Sequence, residues 1–588
     1  MKIIKKLLLI IFLLSTPNKI YAGLGDSEMS AGGWKRNIEV NEIEEIDVDK
    51  KDNEISESDD KFKIQELKEI DINTVGTLTK EEGGLGYDMW RDSEINIIQD
   101  YLENLPTNKE SNLAIELLKQ LLLSNAELPE VKDNTNFFLI RINKLIELGD
   151  FDNAKSLIDL INANDNEKIL IKQTELNLSL NNFDLVCSGI DEKREKFKEN
   201  LFWRKIEIFC LILNDEVNKA NLSLTLLKDE EDFNDDNFLK IIDSLLYKEE
   251  ITDENLNDLN LLNLVMTRVA NISIKESYIL KEDPLFLAMI YRMPNVPIKI
   301  RIEAIEKSKK LLNLPIEVIE EIYNSYDVKE KDKKISLDDN IILGSETQAI
   351  LFQMAIAEEN DEKRAKIIKK SLELALINGN FRLISNLNLN SLLEIKPSKN
   401  LSWFAEYATK SLLVTNKTDE AIKWYEILKK ESEKNIELFN KFVEMWVIIE
   451  FYNLKNNEKE YKNVSQIDLI KSMNRFKSNN EILSFNTVGF YILETFGLKI
   501  SPEFWLINLD NQQLDTKQLP NSSLISLLKY SSENNKIGET ILLILMSLNG
   551  KNFNQLHPFF LQNTISALNQ IGLEEKAFDL VIETLIER

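Results

Sequence analysis

The sequence predicts an all-α protein, an α-solenoid of stacked helical hairpins preceded by a signal peptide and a disordered acidic linker. Three observations carry this. Over 588 residues there are only 17 Gly and 11 Pro, whereas sheet proteins need many Gly-containing turns. From residue 91 onward apolar residues recur at steps of three and four, the spacing of one helix face. A helix–turn–helix plan then returns at steps of 32 and 34 residues, which is the signature of a helical-hairpin array.

The chain opens with Lys2, Lys5 and Lys6, an apolar run Leu7–Leu14, and a polar stretch ending at Ala22. A basic start, a short apolar middle and a small exit residue make a secretory leader, residues 1–22. The run is too short to span a bilayer, although a retained anchor helix stays open as the alternative. No later stretch approaches 18 uninterrupted apolar residues, so no mature membrane span is expected. The location implied is periplasmic or secreted.

Residues 23–88 read as a disordered acidic linker. The window 39–71 holds 14 acidic and 5 basic residues. Dense like charge with few aromatics cannot bury enough apolar surface to offset ordering entropy. Gly83, Gly84 and Gly86 end the linker. Their spacing fits neither nucleotide fingerprint, so they read as a hinge that lets Tyr87 and Trp90 dock on the first helices. The formal charge of −27 becomes about −31 once the four leader lysines are removed. Such a chain repels nucleic acid and anionic lipid and favours a basic partner.

The repeat is clearest at its turns: Gly149-Asp150 with Ala154, Asn181-Asn182 with Val186, Asn214-Asp215 with Ala220, Asn416 with Ala421, and Gly572 with Ala577. Gly or Asn takes the left-handed conformation that closes the first helix. Asp150 or Thr418 is expected to cap the second, and Ala lets the two helices approach. The array divides into an N-terminal repeat segment at 89–250, an irregular middle at 251–345 containing Pro284, Pro294 and Pro297, and a C-terminal repeat segment at 346–588.

These units resemble tetratricopeptide repeats in their turn-then-Ala half. They depart in the first helix, where Ile142 and Thr409 replace the expected small residue, so the repeats are degenerate. Gly84–Ser93, Phe202–Leu227, Asp283–Tyr323, Leu401-Ser402-Trp403-Phe404-Ala405 and Ala421–Leu428 are similar to an uncharacterised family of secreted helical proteins of alphaproteobacteria. That resemblance implies a helical fold and an extracytoplasmic location, and brings no established activity.

Cys187 and Cys210 are the only cysteines. In antiparallel helices joined near residue 198 they lie equidistant from the turn, so a disulfide is expected. Two separate buried thiols remain the alternative. His557 is the only histidine. It precedes Pro558, reads as a loop residue, and leaves neither a His-rich metal site nor a Ser-His-Asp triad to argue. No cofactor, metal or catalytic residue is expected. The paired aromatics read mainly as inter-hairpin core, but Trp203 and Trp403 fall on first helices, which line the concave face, and are the candidate partner contacts. The functional expectation is a non-catalytic scaffold binding a protein or peptide on that face. The alternatives are an envelope enzyme or enzyme subunit acting on cell-wall glycan, and a secreted effector. Cleavage after Ala22 is predicted; N-terminal sequencing of exported protein should read Gly23 first, and a mature chain still beginning at Met1 refutes it.

Overall fold

The computed structural model describes residues 72–587, apart from segments at 108–110, 130–133, 162–165, 249–250, 252–255, 275–276, 281–283, 309–315, 337–343, 457–463, 477–479 and 509–516. The leader and the acidic window therefore lie outside the described residues. The fold is 71% helix, without strands among the described residues. Isolated bridges join only Leu78 to Ser124 and Gln518 to Leu556. Helices pack in neighbouring pairs, an arrangement compatible with a helical solenoid. Leu201–Leu213 lies on Val217–Lys228, Thr347–Ala357 on Asp361–Asn378, Ala405–Val414 on Thr418–Ser432, and Ser522–Glu533 on Ile537–Leu548.

The turns explain the pairing. Gly149, Asn181, Asp215, Asn416 and Gly572 all have positive φ. At Gly149 the backbone N–H donates to the Ile146 carbonyl (2.8 Å) and that of Asp150 to Leu145 (2.9 Å). This double bond closes a helix end and turns the chain back. The same pair of bonds recurs at Asn181, Asp215, Asn416 and Gly572, and also at Asn271, Gly379, Gly497 and Asn535. The expected side-chain caps do not form. Asp150 precedes its helix but accepts from Asn153 Nδ2 (2.9 Å) and pairs with Lys119 (2.7 Å) instead. Thr418 is the first helical residue, preceded by Lys417 without a capping bond. Ala154, Ala421 and Ala577 are fully buried at the helix crossings, as are Ile142 and Thr409.

Of the three prolines named in the middle segment, two start helices, while Pro294 lies in the turn between them. Pro284 opens Pro284–Ile290, and the Pro297 carbonyl accepts the Ile300 N–H (2.9 Å) at the start of Ile298–Ser308. A proline lacks an N–H that the first turn would leave unbonded anyway. Two middle helices lie against first helices of the N-terminal repeats. Leu261–Val269 packs on Glu167–Ser179, and Pro284–Ile290 on Asn134–Glu147. Arg268 Nη2 reaches the Leu178 carbonyl (3.4 Å) across the first of these contacts.

Residues 72–88 are folded, which moves the start of the ordered unit upstream of the linker end read from composition. Val75, Leu85, Met89 and Trp90 are buried. The Leu78 N–H donates to Leu123 (3.0 Å), and its carbonyl accepts from Asn125 (2.9 Å). The wholly buried Arg141 guanidinium fastens this segment. Its Nε donates to the Leu122 carbonyl (2.6 Å), Nη1 to Val75 (2.7 Å) and Asn73 (3.3 Å), and Nη2 to Ser124 (3.4 Å). Desolvation pushes Arg141 down to about 10.

The first helices also pack on the last. Ile95–Asn104 and Asn112–Leu123 both lie on Ile537–Leu548, and Asn112–Leu123 also meets Glu574–Leu585. Trp90 sits between the two ends, edge-on to Phe137 at 6.4 Å. The Gly538 N–H donates to the Met89 carbonyl (2.9 Å). Tyr87, expected to dock beside Trp90, is exposed. A Cβ at Gly538 would stand 2.7 Å from two carbons of the Trp90 ring. Gly538→Val should therefore cost about 1–3 kcal/mol by overpacking, with new proteolytic cuts at residues 72–92 before any elsewhere. A variant as resistant there as wild type would show the contact to be pliant.

Candidate functional site

The Cys187–Cys210 disulfide forms, with Cα atoms 5.5 Å apart. It ties Phe183–Cys187 to Leu201–Leu213, and Phe183 packs edge-on against Phe209 at 5.7 Å beside it. Between the cysteines Gly189, at φ 67°, lets the chain leave one short helix and enter the next, Ile190–Lys196. Asn200 then starts the following helix, its side chain accepting the Phe202 N–H (2.9 Å). The segment 188–200 is thus a short helix with two flanking turns, closed between Cys187 and the helix that carries Cys210.

Its far end forms a wall of a cleft of about 660 Å³, lined by Glu167, Lys196, Phe197, Lys198, Glu199, Asn200, Leu201 and Asp232. That volume is in the range of small-ligand and side-chain pockets. Glu167 and Leu201 begin two successive first helices, so the cleft spans adjacent repeats at their N-terminal ends. Glu167 Oε1 accepts from Asn200 Nδ2 (3.0 Å) and from the Trp203 indole N–H (3.1 Å).

Trp203 supports the cleft from below. It is fully buried, stacked on Phe197 at 6.0 Å and edge-on to Phe202 at 5.0 Å. The Lys193 ammonium lies 5.8 Å over its ring, and burial pushes that lysine below its ordinary range. Trp203 itself does not line the cleft; Phe197, which it stacks on, does. Trp403 is half-buried beside Phe404 (5.8 Å), which meets Trp424 edge-on at 5.5 Å. It belongs to a different hairpin, and no ring contact among the described residues joins it to Trp203.

The acidic loop 229–236, which brings Asp232 to the cleft, is held by Asp235. Asp235 accepts from the Phe238 N–H (3.0 Å), Lys205 Nζ (2.8 Å) and Asn263 Nδ2 (3.0 Å). Burial opposes its charge, but these donors hold the carboxyl below its usual range. Lys205 also lies 5.6 Å over Phe233 and 5.7 Å over Phe238. Glu167 and Asp235 do not stand out in a chain with 99 acidic residues. The one signal for Glu167 is its position 33 residues before Asn200, one repeat length.

A second polar cluster joins Asp361–Asn378, Ala405–Val414 and Ile436–Asn456. Lys410 Nζ contacts Glu406 (2.7 Å) and Glu444 (3.8 Å), and Lys441 reaches Glu406 (3.8 Å). The Tyr407 hydroxyl donates to Glu373 (3.0 Å). Burial works against the Glu406 charge, yet Lys410 and Lys441 keep its carboxyl below the usual range. Each member has a partner, so the cluster reads as a structural ion network. His557 lies in the connection before Pro558–Gln570, where its Nδ1 accepts the Phe559 N–H (3.2 Å) and caps that helix.

Among the described residues no cluster of His, Cys, Asp and Glu is placed to hold a metal ion, and no helix is long and apolar enough to cross a membrane. The sequence matches no protein-family model, no curated protein and no solved structure. Replacing both Cys187 and Cys210 with Ala should cost about 3 kcal/mol in chemical denaturation, since the bond closes a loop of some 20 residues. Trypsin should then cut first at Lys193, Lys196 or Lys198; unchanged stability would mean the loop is held by packing alone.

Proposed function

We propose that this protein is an exported, non-catalytic scaffold of degenerate tetratricopeptide-like hairpins that holds a basic segment of a partner protein in the cleft between Glu167 and Leu201. The observation that carries the reading is the cleft's composition. Glu167, Glu199 and Asp232 line the cleft and outnumber Lys196 and Lys198, of which Lys196 lies 5.6 Å over the Phe197 ring. A cationic side chain entering there meets carboxylates for its charge. The chain's net charge of −27 draws such a partner in before contact. Adjacent repeats supply opposite walls, which is how hairpin arrays present ordered binding surfaces. The leader-like N-terminus and the disulfide support export to an oxidising compartment.

A glycan-cleaving role would need two carboxyls free to act across one sugar bond. In this cleft the Glu167 oxygen that faces its neighbours is already engaged by Asn200 and Trp203. That bonding suits a carboxylate that positions rather than one that transfers a proton.

The test is a photo-crosslinking residue placed at the exposed Lys198, compared with one at Ile377, which is 79% exposed on a C-terminal helix. In the producing cell, position 198 should yield a discrete protein adduct whose crosslinked peptide is rich in Lys or Arg, and position 377 should not. Glu167→Gln, which keeps an acceptor for Trp203, should reduce that adduct about tenfold, the effect of losing one charge-assisted bond. Equal labelling at both positions, or an adduct indifferent to Glu167, would sink the reading.

A further inference from the structure

Where the first helices meet the last, the buried charges do not balance. Glu583 Oε2 accepts the Leu113 N–H (3.0 Å) at the start of Asn112–Leu123. Its other oxygen, though buried, has no hydrogen-bond partner among the described residues. One helical turn on, Glu587 is paired through Oε1 with Arg382 Nε (3.0 Å). On the neighbouring face Lys576 bonds Glu116 (2.7 Å) and lies 3.8 Å from Asp579. Lys455 is turned to the Phe578 ring at 5.0 Å, and the Tyr452 hydroxyl donates to the Leu413 carbonyl. Of the other helices packed here, Pro558–Gln570 carries no charged residue and Glu494 of Asn480–Thr495 is exposed. Arg382 and Lys576 are thus paired with other carboxylates; Arg382 acts on Glu583 only at longer range, and among the described residues no ion pair includes Glu583.

We infer that the two ends of the helical unit are clasped through a protonated Glu583, so that the contact is tight in mildly acidic surroundings and loosens as this carboxyl ionises. A neutral carboxyl can accept from Leu113 without placing a charge in the core, whereas an ionised one brings a charge next to Glu587 that the Ser111 side chain, the Leu113 N–H and the more distant Arg382 only partly offset. Burial first, and then repulsion by Glu587, pushes Glu583 up to about 7, and burial likewise raises Glu587. When the ends part, Glu583 returns to water and to its ordinary value of 4.5. Its contribution is therefore complete below about pH 4.5, fades as pH rises, and is gone above the raised value near 7.

Amide hydrogen exchange, corrected for intrinsic pH dependence, tests this on the full chain. From pH 5 to pH 8.5, protection in Asn112–Leu123 and Glu574–Leu585 should fall at least tenfold relative to Thr418–Ser432, which lies outside the contact. Glu583→Gln, a permanently neutral stand-in, should hold that protection within twofold across the range. Glu587→Gln removes the neighbouring charge and should move the wild-type midpoint to lower pH. The inference is overturned by a pH-independent wild type, by a Glu583→Gln variant that loosens as wild type does, or, should that variant not fold, by an unmoved midpoint in Glu587→Gln.

Discussion

A helical hairpin cannot bury its own apolar face, and that constraint shapes the rest of this structure. Each hairpin needs a neighbour on both sides, so an array has two ends that would stay wet. Repeat proteins commonly solve this with polar capping helices. This chain instead lays Ile95–Asn104 and Asn112–Leu123 on Ile537–Leu548 and Glu574–Leu585. The solution removes two apolar surfaces at once, but it makes stability at one end depend on the other.

The same constraint accounts for the polar groups in the core. Short helices stacked closely bring their ends inside, where carbonyls and N–H groups still need partners. Arg141 serves carbonyls of the entry segment, Asp235 serves the start of Asp236–Tyr247, and Glu583 serves the start of Asn112–Leu123. Each is an ionisable side chain doing a backbone's bonding. Only Asp235 has an opposite charge in contact, which is why burial moves the other two away from their charged forms.

How far the fold could be read from sequence follows from which positions are local. Turns at Gly149, Asn416 and Gly572 were legible because the left-handed residue and an Ala five places later come together. At Gly379 and Asn535 the same place holds Ile384 and Thr540, both buried, with the Thr540 hydroxyl bonded to the Lys536 carbonyl. The helix crossing tolerates them, but the pattern disappears. The disulfide was legible because both cysteines lie in neighbouring elements, although the break at Gly189 between them was not. The cleft was not, because Trp203 signals only that an aromatic ring sits there; whether it faces a guest or supports Phe197 depends on the loop above it. The entry segment was misread for a different reason. Ile72, Val75 and Leu78 are too sparse to fold by local composition, and what holds them is an arginine some 66 residues later.

That arginine gives the entry segment a property beyond anchorage. Its guanidinium spends its donors on carbonyls of both 73–75 and 122–124. A ligand that peeled residues 73–75 away would leave a desolvated cation facing vacated space, a loss of several kcal/mol. Partial detachment is thus disfavoured: the segment stays seated or leaves with its surroundings. A pull on whatever precedes residue 72 would be felt at Leu122 and Ser124 as a single step, so the fold meets its N-terminal extension through a mechanical latch rather than a gradually fraying edge.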